Sequence, residues 1–217
     1  MADTKEDIAS QALARLGEPA ISSFEENTET AEKVKQLYEP TILSLLGRVQ
    51  WQWASARSVL LEDGAKSPEN EWRRGFLMPT LRLDRVGNPY RVYNTTALRA
   101  REFFEYEIEG KWILTNADVI VIEYTKRQPE SIWPGYFEEM AVEALAARLA
   151  LPITENASKE QHHQQIAFGN ISEMGEGGLF GMAKRADSVG QPSRSLLDET
   201  DPMATARFGG SRSNGRW

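Results

Sequence analysis

Leu13-Ala14-Arg15-Leu16-Gly17-Glu18-Pro19-Ala20-Ile21-Ser22-Ser23, followed about one helix later by Arg48-Val49-Gln50-Trp51-Gln52-Trp53-Ala54, decides how this chain is read. Gly17 can adopt the left-handed conformation that closes a helix, and Pro19 cannot continue one, so the first helix is expected to stop at Leu16. The second stretch ends a second helix on an aromatic pair. Together they form an α-turn-α unit without a residue set arranged for chemistry.

Working outward, Asp3 or Thr4 can cap the first helix, and Ile8, Ala12, Leu13 and Leu16 share one face. Thr28 caps the second helix, with Glu29 and Glu32 in its first turn, where carboxylates favour the positive helix end. Its apolar face comprises Ala31, Val34, Leu37, Tyr38, Leu45 and Leu46. Pro40 falls inside this pattern and removes a backbone donor, which predicts a kink or a restart; the helix is expected to close near Gly47.

From about Trp51 to Arg127 the period changes from helical to alternating, punctuated by Gly64, Pro68, Gly75, Pro79, Gly87, Pro89 and Gly110, and the region reads as β-rich. In Phe104-Glu105-Tyr106-Glu107-Ile108-Glu109 the aromatic and aliphatic side chains are expected on one face and the glutamates on the other. Glu109-Gly110 turns this segment into Lys111-Trp112-Ile113-Leu114-Thr115, a hairpin. Val119 to Tyr124 reads as a strand buried on both faces. Leu81 to Val86 and Tyr90 to Tyr93 read as a second pair, joined by a turn at Gly87-Asn88-Pro89.

Helix returns at Pro134 and runs, crowded with alanine, to Leu151-Pro152; Thr154 is expected to cap a more polar helix ending near Phe168. Beyond Gly175 the chain becomes rich in Gly, Ser and Pro, a composition that predicts a segment ordered only on a partner. The organisation expected is therefore α+β: N-terminal bundle helices (1–50), a small antiparallel β insertion (51–130), C-terminal bundle helices (131–174) and an extended arm (175–217). Deleting 179–217 is expected to leave a folded body.

The chain has 217 residues, 41% of them hydrophobic, enough for a sizeable core. It has no cysteine, which excludes disulfides, thiolate metal sites and cysteine nucleophiles. The polar N-terminus lacks the features of a secretory signal, no apolar run approaches the ~20 residues that span a bilayer, and the expected compartment is the cytoplasm. Net charge is −7, divided as −9 before residue 179 and +2 after it, a poor match to a nucleic-acid backbone.

Four segments carry a resemblance over roughly residues 8–178. They are the helix ending in Leu16-Gly17-Glu18-Pro19, the Tyr38–Leu46 helix running into Trp51-Gln52-Trp53-Ala54-Ser55-Ala56-Arg57, Glu109 to Asn116 followed by Val119–Tyr124, and the alanine-rich stretch from Trp133 to Pro152. In this order they resemble the head-to-tail adaptors of tailed phages, the tail tubular protein A family. The resemblance implies a non-enzymatic structural protein in a virion, assembled in the host cytoplasm as a homo-oligomeric, twelvefold ring between the portal and the tail tube or nozzle. Double-stranded DNA would pass through the ring without sequence-specific binding, and no cofactor is implied.

Within that frame, Phe180, Arg207, Phe208, Arg212 and Trp217 are the candidate partner-interface residues, as spaced anchors on a mildly basic arm. Glu105, Glu107 and Glu109 are candidate channel-lining residues that would repel phosphates; the alternative reading is the wet face of a hairpin. Trp51 and Trp53 offer either an interface anchor or core, and His162-His163 either acid-base chemistry or a solvated helix face, the latter favoured because adjacent helical positions diverge. Arg73-Arg74 and Lys126-Arg127 read as solvated or as contacts to a neighbouring subunit. The competing functions are a virion-associated small hydrolase, which needs a carboxylate or His site, and a DNA-binding head-completion factor.

Overall fold

Thr4 begins the first helix by a reciprocal cap: its hydroxyl accepts from the Asp7 N–H, and the Asp7 carboxylate accepts from the Thr4 N–H. The computed structural model describes residues 4–64, 71–97, 101–170, 172 and 175–189. Helix α1 (Lys5–Leu16) ends at Gly17 with φ 80°, whose N–H, with that of Glu18, satisfies the last carbonyls. Helix α2 (Glu29–Arg48) starts at Thr28, whose hydroxyl accepts from Ala31 N–H. The restart expected at Pro40 does not occur, and α2 runs unbroken. Pro40 and Gln36, whose carbonyl loses its partner, both lie on the exposed side, so the missing bond falls outside the core.

The middle of the chain forms strands β1 (Ser55–Val59), β2 (Leu61–Glu62), β3 (Arg74–Leu77), β4 (Arg85–Tyr93), β5 (Tyr106–Glu109), β6 (Trp112–Thr115) and β7 (Val121–Lys126). They make two antiparallel sheets, ordered β1-β7-β4 and β2-β3-β6-β5. Leu60 carries the chain from one sheet to the other and packs in the core they share with Phe76, Met78, Val92, Ile113, Ile120, Ile122 and Tyr124. The β5–β6 hairpin turns at Gly110, φ 59°. Central strand β7 has Val121, Ile122, Tyr124 and Thr125 buried, with Glu123 half-buried.

Two readings in this region are corrected. Gly87-Asn88-Pro89 is not a hairpin turn: Arg85-Val86 and Arg91 to Tyr93 both pair with β7, and the residues between form a bulge within β4. The buried Arg85 guanidinium holds the bulge by donating to the Gly87 and Pro79 carbonyls. Phe104 does not face inward with Tyr106 and Ile108; it is 77% exposed, and Phe103 packs on the β core instead. Pairing begins only at Tyr106, so the strand alternation does not reach back to Phe104.

Helix α3 (Gly135–Thr154) follows Pro134 and is the axis of the helical body, touching α1, α2, α4 (Ala157–Phe168) and α5 (Gly178–Val189). Alanines 141, 144, 146, 147 and 150 are buried on it, and their small side chains let neighbouring helices approach closely. It continues past Pro152, so the cap of α4 is Asn156, not Thr154; Thr154 instead donates its hydroxyl to the Ala150 carbonyl.

Helix α5 overturns the arm reading for residues 178–189: Phe180, Gly181, Ala183 and Asp187 are buried against the body. The glycines that suggested a loose end are packing devices. At Gly178, φ +56°, a Cβ would meet the Ile166 carbonyl and lie 2.6 Å from Gly169 N, and at Gly181 it would lie 2.5 Å from the Glu176 carbonyl oxygen. A cut before residue 179 therefore removes part of the core. Residues 190–217, with Arg207, Phe208, Arg212 and Trp217, lie outside the described residues.

Candidate interaction surfaces

The two cores are joined where α2 meets the chain after β7. Arg127, whose side chain is 12% exposed, donates from Nε and Nη2 to Glu39 at 3.0 and 3.2 Å and from Nη2 to Glu130 at 2.6 Å. Tyr38 donates its hydroxyl to the same Glu130 at 2.9 Å. The Arg127 guanidinium also lies over the Trp133 ring. Burial alone pushes the Glu130 carboxyl up, but Arg127 and the Tyr38 hydroxyl more than reverse this and hold it below the usual carboxylate range. Arg127 is thus neither solvated nor free for a neighbour; it fastens the β unit to the helical body.

Burial, then the Glu130 charge and hydrogen bond, raise the Tyr38 phenol, and burial, then Asp187, raise that of Tyr136. A phenol whose folded value is raised stabilises the fold fully below its unfolded value, and that contribution is lost as pH rises. Stability is therefore expected to fall above about pH 10. Denaturant midpoints across that range check this, with Tyr136→Phe flattening the alkaline decline.

The aromatic exit from α2 lies in the core. Trp51 is buried, packs edge-on against Phe137 and Phe180, and donates its indole N–H to the Leu45 carbonyl at 3.0 Å. Trp53 packs at a tilt against Phe137 and Trp133, but its buried Nε1 finds no acceptor among the described residues. Trp53→Phe is consequently expected to leave chemical stability within about 1 kcal/mol of wild type, whereas Trp51→Phe, which orphans the Leu45 carbonyl and opens a cavity, costs about 2 kcal/mol more. Urea unfolding of both variants measures the difference.

His162 is exposed as read, but His163 is not solvated: it is 7% exposed, and its Nδ1 lies 2.7 Å from an oxygen of Glu143, itself 2% exposed. Arg15 Nε lies 3.9 Å from the other Glu143 oxygen. The trio links α1, α3 and α4. An acid among alanines on α3 was the available signal, since burying one requires a partner from a neighbouring helix.

Glu105, Glu107 and Glu109 are all exposed on the hairpin, with Glu107 accepting from the Trp72 indole at 3.0 Å. Arg74 pairs with Asp118 at 2.7 Å. The β unit also exposes Leu61, Leu77, Leu81 and Leu83, with Leu61 opposite Leu77 in the β2–β3 register. Phe180, the described member of the expected partner-interface set, is 1% exposed and packs on Trp51 and Phe168, so it is a core residue and not a free anchor.

Asp187 was not anticipated. It accepts from the Gln52 N–H at 2.7 Å and the Tyr136 hydroxyl at 2.9 Å and ties the end of α5 to the Trp51 turn and to α3. A cleft between α2, α3 and α4 that carries Arg48 and Arg148 was likewise not foreseen, because its residues are brought together only by helix packing. Among the described residues no group of His, Asp and Glu could hold a metal ion, and no helix is long and apolar enough to cross a membrane. No family model matches the chain, and a search of curated proteins found no match.

Proposed function

We propose that this chain is a non-enzymatic head-to-tail adaptor of a tailed phage, forming a ring, twelvefold by family resemblance, between the portal and the tail tube or nozzle. The observation that carries the reading is the ordered set of four segments described above. The fold gives each of them a structural reason: Gly17 closes α1, Trp51 plugs the core where α2 ends, Gly110 turns the hairpin, and the alanine-rich helix is the axis of the body. Such a chain works by binding energy, matching one ring to the next around an open channel.

In this reading the helical body makes lateral contacts, and the β unit, with exposed Leu61, Leu77, Leu81 and Leu83, is directed to the tail. The hydrolase alternative gains little from His163 and Glu143, which are enclosed between helices. Sedimentation of the purified chain with isolated portal rings tests the proposal. Co-migration supports it; a chain that stays at the top of the gradient rejects it. The Glu105, Glu107 and Glu109 row is assigned to the channel wall, where it keeps phosphates from adhering. Replacing all three with Lys is expected to slow packaging or ejection in the assembled particle, and unchanged kinetics would remove the row from the channel.

A further inference from the structure

Arg48 and Arg148 face a cleft of about 260 Å³ whose walls include Ala144, Ala147, Gln164 and Phe168. Arg48 stands at the end of α2, its guanidinium 4.3 Å from the Phe168 ring centre and 5.5 Å from that of Phe180, with Nη1 3.5 Å from the Gly175 carbonyl. Stacking fixes the plane of this group and leaves its edge N–H donors available. Arg148 donates from Nη1 to the Thr41 hydroxyl at 3.3 Å. Among the described residues neither guanidinium forms an ion pair.

We propose that this cleft is the seat for a carboxylate side chain of a second copy of this chain. Charge indicates the kind of partner: two guanidiniums that form no ion pair among the described residues sit in a chain with 32 Asp and Glu against 25 Lys and Arg, so another copy presents more carboxylates than cations. Burial and, after it, the like charge of Arg48 pull the Arg148 guanidinium below its ordinary value, a cost that an incoming carboxylate offsets. Glu160 also lies on the cleft wall, and its charge opposes an incoming anion, a doubly charged phosphate more than a singly charged carboxylate. A cationic seat meeting an acidic surface elsewhere on the next copy is a heterologous contact, the kind that closes rings. The choice of a second copy rests on the adaptor reading; the seat's chemistry does not.

The test uses the full chain, alone and on portal rings. Arg148→Glu is expected to weaken self-association at least tenfold in sedimentation velocity, with an unchanged thermal melt showing that the body is folded, and added salt is expected to weaken the wild type in the same direction. Arg148→Lys, prepared as mixed light and isotope-labelled copies and treated with a zero-length carbodiimide, is expected to give a light–heavy cross-link from position 148 to an Asp or Glu. Links confined to one copy, Arg148→Glu assembling like wild type, or a wild-type chain monomeric in both settings would overturn the proposal. A chain that self-assembles through position 148 but ignores portal rings rejects the adaptor reading and leaves the seat standing.

Discussion

Replacing Phe180 with Ala is expected to lower the unfolding free energy by about 3–5 kcal/mol. The ring is 1% exposed and is enclosed by Trp51, Phe168 and the Arg48 guanidinium, so its loss opens a cavity that rigid neighbours from α4 and the end of α2 cannot fill. It also undoes the apolar anchor at the start of α5, leaving the helix held chiefly through Asp187. Met182 on the same helix is 64% exposed, and Met182→Ala is expected to change stability by under about 0.5 kcal/mol. Chemical denaturation of the pair measures both. Equal, small effects would mean that α5 is not part of the folded body.

The second large effect is expected at the α3–α4 contact. His163→Leu removes the imidazole from Glu143 and leaves a carboxylate 2% exposed, with only Arg15 Nε nearby at 3.9 Å. Removing one partner of a buried pair in this way costs about 3–5 kcal/mol. Glu143→Leu alone leaves the buried imidazole Nδ1 without its partner, a smaller loss of about 1–3 kcal/mol. Combining His163→Leu with Glu143→Leu removes both polar groups together and is expected to recover most of the stability, because well-packed apolar residues replace a buried pair at little net cost. A double-mutant cycle by urea unfolding reads the coupling directly, and purely additive losses would show that the pair does not act as a unit.

The parts of the fold set by neighbours in sequence were legible. Gly17, Thr28 and Gly110 act through local backbone geometry, and the hydrophobic periods of α1, α2 and the β5–β6 hairpin were sufficient to locate them. The failures occur where distant segments decide. Gly87 to Pro89 carries every local mark of a turn, yet β7 pairs with both flanks and makes it a bulge. Gly178 and Gly181 read as disorder when averaged over a long Gly-rich stretch, while each lies against a backbone that a Cβ would strike. His163 looked like a surface residue because its partner lies 20 positions away on another helix. The Arg48–Arg148 cleft had no sequence signal, since the two residues are 100 positions apart and meet only when α2 packs on α3.

The adaptor reading itself is tested most directly by negative-stain imaging of the purified chain mixed with portal rings. The account predicts a collar of density on one end of the portal, built from several copies and open along its axis. Bare portals beside unattached single copies, at every protein ratio, would contradict it.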